Sequence, residues 1–77
     1  MRYIEGQILA RMARVLQWHA IVTSGAYKQR KVYRGALSDP QTREFTEEEK
    51  LQDSLATLGR HVELLDEAVE HLAGSKE

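Results

Sequence analysis

The sequence predicts an all-α protein, an antiparallel hairpin of two long helices that assembles as a homodimeric four-helix bundle. Three observations lead to this fold class. The C-terminal part carries apolar residues at heptad spacing, a helix-capping signal stands directly before them, and the N-terminal part carries an apolar stripe at helical spacing. Two amphipathic helices joined by a short connection pack side by side, and each leaves part of its apolar surface for a further helix layer.

Helix two has the clearest pattern and is predicted over about residues 46–73. Thr46 followed three residues later by Glu49 fits a capping box, in which each side chain accepts a hydrogen bond from the other residue's backbone N–H. Alternating steps of four and three residues then form a seam, which we predict to be the oligomer interface. Its members are Leu51, Leu55, Leu58, Val62, Leu65, Val69 and Leu72. Gly59 interrupts this helix at a cost of about 1 kcal/mol, which suggests that another backbone approaches closely there.

Helix one is predicted over about residues 2–35, with a possible kink near residues 24–25. Thr23, Ser24 and Gly25 are poor helix formers, but ending the helix there would leave some twenty residues without structure, and loops of that length are uncommon in compact domains. The turn is therefore placed at about residues 36–45. The face predicted to pack on helix two consists of Ile4, Ile8, Met12, Val15, His19, Val22 and Ala26.

Length and composition favour self-association. A single domain of 77 residues has a small core, and a chain without cysteine has no disulfide to supplement it. Burial against a second copy is the remaining common route to stability. The absence of a long apolar run and of a signal-like start predicts a cytoplasmic protein that does not enter a membrane.

Charge is distributed unevenly, with +5 over residues 1–46 and −6 over residues 47–77. The basic segment contains Tyr27 and Tyr33 among four cations, which are Lys28, Arg30, Lys31 and Arg34. Cations interleaved with aromatic rings are typical of nucleic-acid or anion binding. The alternative, which we favour, is that these cations pair with the acidic start of helix two, Glu44 and Glu47 to Glu49.

Catalytic, metal and cofactor sites are not indicated. No two histidines stand at i and i+4, no Glu-x-x-His motif points into a bundle, and no glycine-rich phosphate loop or nucleophile motif is present. The carboxylates of helix two fall on its outward side, where solvation is the simpler explanation. We therefore expect neither an enzyme nor a bound cofactor.

The function predicted from these features is that of a small adaptor or regulatory protein. It would act by helix-mediated self-association and by binding a larger protein partner. The candidate partner contacts on helix one are Trp18, which flanks the packing stripe, and Tyr3 and Ile21, which lie well off it. The alternative is that these three residues complete the core of the oligomer. The alternative is a nucleic-acid or anionic-ligand binding module that uses the basic segment.

Overall fold

The computed structural model describes residues 3–36 and 38–74 of the chain. Two helices, α1 (Tyr3–Ser24) and α2 (Glu47–Gly74), pack against each other as an antiparallel hairpin. Between them the chain forms a short 3₁₀ turn (Ala26–Gln29) and two brief strands, β1 (Tyr33–Arg34) and β2 (Arg43–Glu44). The predicted helical hairpin is confirmed. The molecule is elongated and measures 55 × 27 × 18 Å.

The start of α2 is set by the capping box. The Glu49 backbone N–H donates to Thr46 Oγ1 (3.2 Å), and the Thr46 backbone N–H donates to Glu49 Oε1 (3.0 Å). Both bonds satisfy donors that a helix or its cap otherwise leaves unpaired. The predicted capping box is confirmed, and three glutamates occupy the first turn, where the helix dipole favours negative charge.

The prediction that helix one continues to about residue 35 is wrong, because α1 ends at Ser24. Gly25 adopts a left-handed conformation with φ +83°, which a helix interior does not contain. The Thr23 hydroxyl donates to the His19 carbonyl (2.9 Å), and the Ser24 hydroxyl accepts from the Ala26 backbone N–H (3.3 Å). Local side-chain bonds of this kind compete with further helix formation.

The described part of the segment after Gly25 is structured without being α-helical. In the antiparallel pair of β1 and β2, Tyr33 lies opposite Glu44 and Arg34 opposite Arg43. The connecting turn is held at Asp39, whose Oδ1 accepts from the Gln41 backbone N–H (2.8 Å). The expected rarity of long loops therefore did not predict the end of helix one. Two short paired strands give backbone N–H and C=O groups hydrogen-bond partners, and strands of two residues leave no periodic pattern in the sequence. The predicted helix start at residue 2 lies outside the described residues.

Neither helix in the described part of the chain is long and apolar enough to cross a membrane.

Candidate functional site

Apolar side chains of both helices are exposed in an isolated chain. On α1, Leu9 is 54% exposed and Leu16 is 66% exposed. On α2, the large apolar residues that are exposed recur every seven positions. We name the set the apolar face, and its members are Leu9, Met12, Leu16, Leu55, Val62 and Val69. Among the described residues, by contrast, Ala68 is the only buried apolar one.

Both rows of the apolar face lie on the same side of the hairpin. On α1, the half-buried positions that face α2 are Ile4, Ile8, Arg11, Val15, Trp18 and Val22. At about 100° per residue, the exposed row is rotated from the mean inward direction by roughly 80–140° on α1 and by roughly 50–90° on α2, in the same sense. Because the helices run in opposite directions, rotations in the same sense bring the two rows to one surface. The apolar face is therefore continuous across both helices.

The heptad seam of α2 is divided between two surfaces. Leu51, Leu58, Leu65 and Leu72 are half-buried on the side of α2 that packs on α1. The alternate seam positions Leu55, Val62 and Val69 are 40–47% exposed. Within one chain, therefore, one row of the heptad seam packs on α1 and the alternate row stays exposed.

Helix one is rotated relative to the predicted packing stripe. Met12 and His19, which were expected to face α2, are exposed, whereas Arg11 and Trp18 occupy inward positions. The Arg11 guanidinium donates to the Leu64 carbonyl, and the indole of Trp18 stacks on the imidazole of His61 with ring centroids 6.3 Å apart. Arg11 thus satisfies a carbonyl of α2 from an inward position, and Trp18 packs its ring on a side chain of α2.

The three predicted partner contacts lie in different surroundings. Tyr3 is 81% exposed, and Ile21 is half-buried on the opposite edge of α1 from the apolar face. Trp18 is half-buried and contacts both the imidazole of His61 and the guanidinium of Arg30. The chain between α1 and α2 is named the connecting segment. The indole ring of Trp18 lies where this segment meets both helices.

The basic segment lies against the acidic start of α2. Arg30 forms an ion pair with Asp53 (2.8 Å), Arg34 with Glu49, and Lys31 a long pair with Glu44 (3.7 Å). Arg34 also stacks over the ring of Phe45, and the Lys28 carbonyl accepts from Lys50 Nζ (3.2 Å). The arginines therefore engage groups of their own chain.

Two carboxylates in this charged region, those of Glu49 and Glu44, have lowered pKa values. Hydrogen bonds from Arg43, from the Thr46 backbone and from Arg34 hold the pKa of Glu49 far below its ordinary value. The same Glu49 contact raises the pKa of Arg43. A hydrogen bond from Lys50 (2.8 Å) lowers the pKa of Glu44. Lys50 is only 5% exposed, so its charge depends on Glu44 for compensation.

Gly59 has open space around it. A Cβ added there would meet no atom within 4 Å apart from its own helix. The backbone approach that we predicted from the sequence is therefore not made by the described residues of the same chain.

Comparison of the chain with protein-family models, with curated proteins and with solved structures gives no match.

Proposed function

We propose that this protein is a non-enzymatic adaptor or regulatory protein that works through helix-to-helix contacts. Two copies associate by their apolar faces into a four-helix bundle, and the assembly binds a larger protein. The observation that carries the proposal is a contrast within the described part of the chain, where six large apolar side chains are exposed on one face and a single apolar residue, Ala68, is buried. A helix layer with one apolar side is stable when a second layer covers that side.

Surface area supports the same conclusion. The chain has an accessible surface of 5738 Å². A compact monomer of its mass, 8.8 kDa, is expected to expose about 4,800 Å². The excess of roughly 900 Å² is close to the about 800 Å² that each partner buries in a standard protein interface. The radius of gyration, 16.4 Å, also exceeds the about 11.5 Å expected for a compact domain of this length.

We expect a larger protein partner to bind the outer side of α1, which the proposed dimer leaves exposed. This helix has only three charged residues in 22, and none of its residues is buried. A helix with so few charges is typically covered on more than one side. Tyr3 and Ile21 lie away from the apolar face, so they are left accessible by the proposed bundle and are the candidate contacts.

The nucleic-acid alternative is less well supported. Arg30 and Arg34 are engaged with Asp53 and Glu49, and a phosphate would have to replace those carboxylates. Lys28 and Lys31 remain the more accessible cations of the basic segment. A salt-dependent mobility shift with single-stranded nucleic acid, lost in a Lys28→Ala/Lys31→Ala variant, would favour that alternative.

The test of self-association is the molar mass in solution, measured by light scattering across the micromolar range. We expect the mass of a dimer and a thermal midpoint that rises with concentration. Val62→Ala removes two methyl groups from the apolar face and should move dissociation to higher concentration. Glu63→Ala changes the exposed neighbouring residue and is the matched control. A stable wild-type monomer at micromolar concentration would contradict the proposal.

The adaptor role needs a second measurement. Ile21→Asp and Tyr3→Ala should reduce capture of a partner from the native host while the dimer mass is retained. If both variants keep full capture and full mass, the outer side of α1 is not the contact surface.

A further inference from the structure

We propose that the apolar face is also the binding site for a basic amphipathic helix of a partner protein, which takes the place of the second copy. The inference rests on the proposed function through helix-to-helix contacts and names the chemistry of a partner. It concerns the apolar face alone, whereas the contacts proposed at Tyr3 and Ile21 lie away from that face.

The charged residues of the two helices on the side of the apolar face are all acidic in the described part of the chain. At about 100° per residue, Glu48, Asp66 and Glu70 lie within about 80° of the exposed apolar row of α2, and we name these three residues the acidic border. All three are exposed and form no ion pair with any described residue. On α1, the charged residue on this side is Glu5.

The described cations of both helices lie elsewhere. Arg11 is turned towards α2 and donates to the Leu64 carbonyl, and Lys50 is buried against Glu44. Arg14 and Arg60 fall on the sides of their helices opposite the apolar face. These cations therefore do not compensate the acidic border.

A second copy does not supply the missing positive charge. It brings its own acidic border to the interface, so like charges are added whichever way the two faces are joined. A helix whose apolar residues are bordered by lysine or arginine replaces this repulsion by attraction. Complementary charge of this kind selects between partners that offer similar apolar area.

The length of the apolar row indicates the length of the bound helix. Leu55 and Val69 lie four heptad-spaced turns apart, about 21 Å at 1.5 Å of rise per residue. A helix of about 14 residues matches this length and can lie between the exposed rows of α1 and α2, with apolar residues at i, i+3, i+4 and i+7. Its cations belong on the side next to α2, which carries the acidic border.

Two synthetic peptides of 14 residues test the proposal. One has leucine and lysine at amphipathic helical spacing, and the other has glutamate in place of every lysine. We expect the lysine peptide to bind at least tenfold more tightly and to convert the homodimer into a complex of one chain with one peptide, measured by calorimetry and light scattering. Added salt should weaken this complex and strengthen the homodimer, because screening reduces attraction in the first and repulsion in the second.

Asp66→Asn separates the effect of charge from a loss of structure. Removing this carboxylate should weaken binding of the lysine peptide by about two- to fivefold and should tighten the homodimer, whereas a damaged fold would weaken both. Glu67→Gln changes the neighbouring exposed carboxylate, which lies away from the apolar face, and is the matched control with a smaller effect on both equilibria. Equal effects of Asp66→Asn and Glu67→Gln would overturn the inference.

The mass of the wild-type protein distinguishes failure of the inference from failure of self-association. A dimer that persists with the lysine peptide, or that is dissociated equally by both peptides, overturns the inference and leaves self-association intact. A monomer that binds the lysine peptide selectively contradicts self-association and supports the inference. A monomer that binds neither peptide contradicts both.

Discussion

The guanidinium of Arg30 lies over the indole ring of Trp18, with Cζ 4.7 Å from the ring centroid. The same guanidinium donates to Asp53 Oδ2 and to Ser54 Oγ, both at 2.8 Å. One residue of the connecting segment therefore joins α1 to α2. Ser54 is completely buried, so its hydroxyl depends on a partner inside the protein.

Arg30→Ala should destabilise the protein by about 1–3 kcal/mol, because it removes a stacked cation and a hydrogen bond at a buried hydroxyl. The measurement is chemical denaturation followed by circular dichroism. Lys31→Ala is the matched control, since Lys31 is exposed and its ion pair is long, and it should change stability by less than about 0.5 kcal/mol. Equal effects of the two substitutions would show that Arg30 does not join the helices.

Lys50→Met should loosen the connecting segment. Lys50 Nζ donates to Glu44 Oε2 and to the Lys28 carbonyl, so methionine leaves both acceptors without this donor. We expect a loss of about 1–3 kcal/mol, and faster amide exchange in β1 and β2. Adding Glu44→Gln to Lys50→Met should cost less than the sum of the single changes, because an uncompensated carboxylate is then removed. Strict additivity would show that the pair is not coupled.

Acid should weaken the start of α2. The pKa of Glu49 is lowered on folding, so its contribution to stability is present above the ordinary value of 4.5 and is lost as pH falls below that value towards the pKa of the folded state. The thermal midpoint should therefore decrease below pH 4.5. Glu49→Gln should reduce this decrease, whereas substitution of the exposed neighbour Glu48 by glutamine is the control. An unchanged acid profile in Glu49→Gln would contradict this role.

Gly25→Ala should destabilise the protein by about 1–2 kcal/mol, because a side chain at φ +83° meets the backbone even where surrounding space is open. Gly59→Ala is the helical comparison. In a single chain it should be neutral or stabilising by up to about 1 kcal/mol. The melting temperatures of the two variants should therefore move in opposite directions, or only that of Gly25→Ala should fall. A stabilising Gly25→Ala would mean that the helix continues through this position.

Leu58→Asp should abolish most of the helical circular dichroism. Leu58 belongs to the half of the seam that packs on α1, and a charge placed there has no partner, which costs about 3 kcal/mol or more. Gln52→Asp, at an exposed position of the same helix, should keep the signal. Full helicity in Leu58→Asp would show that this side of α2 is not the packing surface.

Local sequence signals determined α2. The Thr46–Glu49 capping box forms between residues three apart, and the heptad pattern needs only the periodicity of one helix to be recognised. Interactions over such short separations depend little on the rest of the fold.

Tertiary structure decided the end of α1 and the assignment of its faces. Described residues between the two helices bond to partners far along the chain, such as Arg30 to Asp53, and no local pattern encodes partners more than twenty residues away. Arg11 and Trp18 face inward because α2 offers them a carbonyl and a histidine ring, which displaces Met12 to the apolar face. The sequence alone thus determined that there are two amphipathic helices, whereas the division of the apolar residues between hairpin interior and exposed face depended on how those helices rotate to satisfy their polar groups.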